Sequence, residues 1–378
     1  MPYANHLFMK HAIRYIVTAS FFLLVSTFCS YSFTTDYSAN TQDSVHDNHN
    51  AQSGKIDPGA LIIDHVVDHY SWHIATIGDT HISLPLPVIL YSEDRGLFCF
   101  MSSKFNHGHD TYKQFKIAEE GENKGRIVEL DEAGNVKDNM LLDFSVTKIV
   151  MAVFFSVLLL IFIFVKVANA YKKRRNRSPK GLQSLMEPLV LFIRDDIAKD
   201  NIGEKYEKFT PFLLTIFFFI FFNNLLGLIP IFPAGANVTG NITVTGALAF
   251  FTLLMIFLNS NKNYWKEIFN AAGIPFWLKF PIPLIPIIEL AGIFIKPFVL
   301  MVRLFANISA GHIVMLGFFS LIFIFGNIND TAGYGISVFS VFFGVFISIL
   351  ELLVAFIQAY VFTMLSAIYF GMAAGEGH

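Results

Sequence analysis

An arginine stands in the middle of LMVRLFANISAGH, residues 300–312, where almost every neighbour is apolar. A guanidinium keeps its proton under ordinary conditions and is costly to place in hydrocarbon, so such a charge inside a membrane segment is a functional residue by default. Arg303 has company. Glu289, Lys296 and Arg303 recur every seven residues, which on a helix keeps them on one face with about 20° of drift per step. Asn307 lies four residues further on, near the same face. Downstream, Glu351 and Gln358 are again seven apart, and His312 adds an imidazole between the two groups. Polar residues in register inside apolar helices line an ion path or a partner surface, and carboxylate, imidazole and amide are the groups that pass protons or fix charge.

Two very long helices must position these residues. From Pro283 to Phe325 no strong breaker follows Pro297, and from Ile336 to Ala374 there is none. Each is a candidate helix of about 40 residues, roughly 60 Å at 1.5 Å per residue, against a hydrocarbon core of about 30 Å. Such helices must be strongly tilted, and GNINDTAG between them makes an antiparallel hairpin. With the turn centred near Asp330, residues whose numbers sum to about 660 lie opposite one another. Arg303 then faces position 357, beside Gln358, and His312 faces position 348, about one turn from Glu351. One conflict remains: nine residues at about 100° each put His312 on the opposite side of the helix from Arg303. Both pairs meet face-on only if the helices bend or wrap.

The rest of the chain agrees with a membrane setting. Of 378 residues, 54% are hydrophobic and 43 are Phe, with a mean hydropathy of +0.54, well above the balance of soluble domains. The net charge is -2 and the basic residues cluster in one loop, so nucleic acid is not an expected partner. Ile149 to Ala170 is long enough to span and ends in YKKRRNRSPK, a cationic flank of the kind that stays cytoplasmic. Between Lys208 and Lys262 there is no charged residue, and PAGANVTGN divides that stretch into two spans joined by an external loop. Asn223 and Asn224 in the first of these are either helix-packing groups or channel lining.

Arg14 followed by IVTASFFLLVSTFCS reads as an export signal within residues 1–33, the alternative being a further membrane span. Residues 34–147 then form a domain outside the cytoplasm with a low-complexity start, leaving Cys99 without a disulfide partner. The turn EDRG between β-rich runs predicts a hairpin there. His65, His69 and His73 have the spacing to share one helical face, as metal ligands or simply on an exposed helix. The expected fold is an all-α polytopic membrane protein of about five membrane helices with a long tilted C-terminal hairpin. A small N-terminal α+β extracytoplasmic domain precedes it; the membrane domain is 148–378 and the C-terminus is cytoplasmic.

RLFAN followed by SAGH, the upstream IIELAGIFIKP, NNLLGLIP in the second span and the terminal QAYVFTMLSAIY together resemble the a subunit of F-type ATP synthases, over about residues 150 to 374. The resemblance implies a proton-conducting stator. Its essential arginine matches Arg303, with Asn307, Glu289, Gln358 and Lys296 at family positions. Many bacterial members have an acidic residue at the place of His312 and a histidine at that of Glu351; here the two are exchanged, as in the mitochondrial form. The extended N-terminus resembles a subunits of Bacteroidetes-type bacteria. Implied partners are a ring of c-subunit proteolipids, the peripheral-stalk subunit b, the remaining ATP synthase subunits and the lipid bilayer of a bacterial inner membrane. No cofactor is expected, and without a nucleotide loop or nucleophile elbow the chain does not itself make ATP. Whether protons or sodium ions are carried stays open. A secondary transporter binding an anion at Arg303 is the other reading; such folds show two related halves, and no internal repeat is visible. A plain membrane anchor explains neither the overlong hairpin nor its charges.

Overall fold

The computed structural model describes residues 68–375, apart from 78–79, 109, 119–122, 124, 132–133, 138–140, 174–177, 230–233 and 270–283. The expected export signal, the low-complexity start of the N-terminal domain and His65 lie outside these residues.

The N-terminal region is built from short antiparallel pairs. Strand β1 (Ser71–Ile77) pairs with β2 (Thr80–Pro85). Strands β3 (Pro87–Ser92) and β4 (Gly96–Met101) form the hairpin expected around EDRG, and β7 (Leu141–Asp143) adds to the other edge of β3. Strands β5 (Phe115–Ile117) and β6 (Ile127–Glu129) make a third pair. The period of two is visible in β3, where Val88, Leu90 and Ser92 are buried and their neighbours are not. Val88 and Leu90 join Tyr70, Phe105, Phe115 and Ile127 in one core. Arg95 in the hairpin turn forms an ion pair with buried Glu129 at 3.0 Å, and Ser92 donates to the same carboxylate at 2.8 Å. The buried charge is therefore paired and hydrogen-bonded, the condition under which burial is tolerated. His73 lies in β1, a strand, so the one-face helical spacing of the three histidines does not apply.

This region is tied directly to the first membrane helix, α1 (Lys148–Lys173). Asp68 accepts from the Ile149 amide at 3.0 Å and the His69 carbonyl accepts from the Lys148 amide at 3.0 Å, which satisfies two of the orphan donors at the helix start. Trp72 is buried in the same cluster as Ile149 and Val153.

Helix α2 (Leu182–Phe192) continues through a π-helical turn, Ile193–Lys199, and short turns to α3 (Tyr206–Gly227). This approach is not foreseen in the sequence reading. Its signal was the buried series Met186, Val190, Ile193 and Ile197, at helical spacing but interrupted by Arg194, Asp195 and Asp196. Helix α4 (Ile242–Asn259), short α5 (Lys262–Phe269), α6 (Leu284–Ile328) and α7 (Asp330–Ala374) complete the order. Among the described residues, five helical stretches have the length and composition to cross a membrane: α1, the run Leu182–Gly227, α4, α6 and α7. Helix α3 is the hub, buried along most of its length, with Phe218 against Phe164 of α1 and Phe209 against Phe370 of α7.

The two C-terminal helices are 45 residues each, on the order of 67 Å long, with Asn329 alone between them. Asn329 caps α7 by accepting from the Thr331 amide at 3.1 Å. Glycines allow the turn to close: a Cβ on Gly333 would lie 2.9 Å from the Gly326 Cα. Phe318 stacks on Phe343, Ser348 faces Met315, and Gly311 lies against Glu351, so the pairing stays within three residues of the expected register along this half. At the far end the α7 C-terminus is clamped. Lys205 donates to the Ala374 carbonyl at 3.0 Å, and Asn261 donates to the carbonyls of Ala373 and Ala374. A cation and amides there answer the unpaired carbonyls of a helix end.

Candidate functional site

Arg303 and His312 point to opposite sides of α6, as their nine-residue separation requires. Arg303 is half-buried and makes no hydrogen bond or ion pair among the described residues. Near it along the helix, Ala306, Asn307 and Ala310 are exposed, and α7 beside them exposes Ile349, Leu353 and Ile357. His312 instead turns inward and is only 6% exposed. Its Nδ1 lies 3.7 Å from Oε1 of Glu351, itself 8% exposed. The conflict in the sequence reading is thus resolved in favour of one pair. His312 meets Glu351, while Arg303 forms no bond to Gln358, which is buried on α7.

Two glycines make room for the pair. A Cβ on Gly311 would fall 2.6 Å from Oε1 of Glu351, so the carboxylate rests against the bare backbone of α6. On the other side, Gly227 at the end of α3 sits beside the imidazole, a Cβ there lying 3.6 Å from Nε2. Asn224, Asn307, His312 and Glu351 line one small cavity, closed by Leu228, Ile308, Val354 and Ala355. Asn224 is therefore at the site. Asn223 is not: it donates back to the Phe219 carbonyl of its own helix at 2.8 Å.

Lys296 and Glu289 lie elsewhere along α6. The Lys296 ammonium stands 5.5 Å from the Tyr369 ring centre, a cation–π contact that lets a charge sit in an apolar setting. Glu289 is exposed near α5, and the phenol of Tyr264 on that helix is pushed above its ordinary pKa by burial first and by the Glu289 charge second. The site also includes residues the sequence reading missed. Thr239 in the loop before α4 donates to Asn224 Oδ1 at 2.5 Å, and Ser309 donates to the Gly240 carbonyl at 3.1 Å, holding that loop against α6. NVTGN marked a turn, but nothing in its pattern says which helix the turn covers.

The hairpin thus carries a guanidinium without an ion-pair partner among the described residues on one side and a buried imidazole–carboxylate pair on the other. The family model described as ATP synthase A chain matches residues 149–371. A domain of unknown function (DUF8433) matches residues 61–146. ATP synthase subunit a of Chloroherpeton thalassium is 46% identical over 243 residues, covering 62% of this chain and 69% of that protein. The subunit a of Chlorobium phaeobacteroides (strain BS1) is 46% identical over 244 residues, covering 62% and 68%. That of Myxococcus xanthus is 41% identical over 244 residues, covering 63% and 75%. The chain belongs to the ATP synthase A chain family and is a multi-pass membrane protein.

Proposed function

We propose that the chain is the stator subunit in the membrane sector of an F-type ATP synthase, forming two proton half-channels and presenting Arg303 to a rotating ring of c subunits. The observation that carries this reading is the state of Arg303. A half-buried guanidinium in an apolar helix, with no hydrogen bond and no carboxylate paired to it among the described residues, needs a counter-charge from another molecule. A carboxylate on a ring helix supplies it, and the small exposed Ala306 and Ala310 let that helix come close.

In this mechanism protons enter from outside through the polar pocket of Asn224, His312 and Glu351 and reach the ring carboxylate past Asn307 and Gln358. They leave by a second path near Glu289, with Lys296 in a supporting place. Arg303 separates the two paths: its fixed charge attracts the deprotonated ring carboxylate and bars direct proton leak. Synthesis of ATP belongs to the remaining subunits, and subunit b of the peripheral stalk holds the stator still. Residues 1–33 act as the export signal, 34–147 lie in the periplasm and 148–378 form the channel domain in the bacterial inner membrane, with the C-terminus cytoplasmic. The change of family match between residues 146 and 149 and the cationic end of α1 support that division.

The test is oxidative cross-linking from Ala310→Cys, in a Cys99→Ser background, to a cysteine on the outer helix of the copurified ring. A cross-link and a ring of small proteolipids in the purified complex are expected. A purified complex without such a ring, or with a ring that Ala310→Cys never reaches, contradicts the reading.

A further inference from the structure

The loop between α3 and α4 reaches the His312–Glu351 pair through two hydrogen bonds. Thr239, 1% exposed, donates its hydroxyl to Oδ1 of Asn224, and Nδ2 of Asn224, 4% exposed, donates to the Ala355 carbonyl on α7 at 3.2 Å. This orientation is forced by chemistry. A peptide carbonyl only accepts, so the amide nitrogen must face Ala355 and the amide oxygen must face Thr239, whose hydroxyl then has to donate. The second N–H of Asn224 is left for the cavity it shares with Asn307, His312 and Glu351.

That cavity measures about 10 Å³, room for about one water. Its walls call for one. Glu351 Oε2 is buried and has no hydrogen-bond partner. His312 Nδ1 stands 3.7 Å from Oε1, beyond direct hydrogen-bond range. A water here gains a donor from Asn224 and gives its own hydrogens to the carboxylate, meeting the two or more polar partners that a buried water requires.

We propose that a single water in this cavity links the Asn224 amide to Glu351, and that Thr239 is the positioning residue that keeps the amide turned to donate to it. The inference rests on the proton-path reading above. Removing the Thr239 hydroxyl leaves Asn224 Oδ1 as a buried acceptor without a donor, so the amide competes with Glu351 for the hydrogens of the same water. Ser309 and Asn237 support the arrangement, the first bonding to the Gly240 carbonyl and the second accepting from the Gly240 amide at 2.9 Å, which fixes the residue next to Thr239.

The experiment measures ATP-driven proton pumping by the assembled complex in vesicles at matched complex content, with Arg303→Ala and His312→Ala as references. Thr239→Val keeps the branched shape without the hydroxyl and is expected to slow pumping on the order of tenfold. Thr239→Ser keeps the hydroxyl and is expected to retain at least about half of the rate. Should Thr239→Val not assemble, Thr239→Ala removes the hydroxyl without adding bulk and is read in the same way. Normal pumping by the hydroxyl-free variant, or an equal loss in the Ser and hydroxyl-free variants, overturns the inference. If Arg303→Ala and His312→Ala also pump normally, the proton-path reading itself has failed; if they stop while Thr239→Val pumps, only the role of Thr239 has.

Discussion

A Cβ built on Gly311 would lie 2.6 Å from Oε1 of Glu351, 3.1 Å from its Cγ and 3.2 Å from its Cδ. Ordinary contact begins near 3.4 Å, so Gly311→Ala obliges the carboxylate to retreat by about 0.8 Å. Because the carboxylate ends a flexible side chain, α6 and α7 need not separate, and Ala improves helix propensity over Gly by up to about 1 kcal/mol. The variant is therefore expected to assemble normally. Its cost falls on the pair. The His312–Glu351 separation of 3.7 Å lengthens toward about 4.5 Å, and at an effective dielectric of about 20 the attraction between ionised partners drops from roughly 4.5 to 3.7 kcal/mol. A loss of about 0.8 kcal/mol is about fourfold in the population of the paired form. The assay is ATP-driven pumping in vesicles at matched content, with Gly227→Ala as control, since a Cβ there meets His312 Nε2 at 3.6 Å and the Ala236 carbonyl at 3.5 Å, both ordinary contacts. Gly311→Ala is expected to pump about three to ten times more slowly, and Gly227→Ala within about twofold of the unaltered complex. Full pumping by assembled Gly311→Ala, or an equal loss in Gly227→Ala, refutes the reasoning.

The exchanged pair, His312→Glu with Glu351→His, preserves both groups and should recover more pumping than His312→Glu alone or Glu351→His alone, which place like with like; equal rates in all three show that the two side chains are not coupled. Gly371→Ala puts a Cβ 2.1 Å from the Asn201 carbonyl oxygen, a backbone atom that cannot step aside, so at least about 1–3 kcal/mol is lost and the amount of subunit in membranes should fall sharply on immunoblots. Asp68→Ala removes the acceptor for the Ile149 amide, costing about 1 kcal/mol, and should increase protease cleavage at the junction of β-rich region and α1 while leaving the rest of the membrane helices protected.

Elements whose signal is periodic and local are legible in the sequence. The hairpin α6–α7 followed from two uninterrupted apolar runs around GNINDTAG, and its register followed from antiparallel geometry alone, because a hairpin with one loop residue has almost no freedom to slip. The β3–β4 turn at EDRG was legible for the same reason. Arg303, Glu351 and His312 were visible as ionisable residues in apolar surroundings, but the sum rule paired Arg303 with Gln358 and could not decide which side of α6 each residue served. Helix phase decided it: His312 turns into the bundle and Arg303 does not. The α2 approach was hidden by Arg194, Asp195 and Asp196, which lower the hydropathy of a segment whose buried face is nonetheless regular. His73 was read on a helix because the spacing of three histidines fits one, whereas SWHIATI pairs as a strand with THISLP. Thr239 was invisible for a different reason: its partner Asn224 lies 15 residues away across a turn, and only tertiary packing brings the hydroxyl and amide together.

The central claim is that the charge of Arg303 couples proton movement to the ring, and replacing it tests that claim most directly. The measurement is ATP synthesis driven by an imposed proton gradient, together with passive proton flux, in vesicles containing the purified complex with Arg303→Ala or Arg303→Lys. The account predicts that Ala abolishes synthesis and opens a passive leak, because nothing then separates the two half-channels. Lys should rescue poorly, since an ammonium lacks the fixed fork of donors and sheds its proton more readily when desolvated. Near-normal synthesis by Arg303→Ala, with the ring present and no leak, would contradict it.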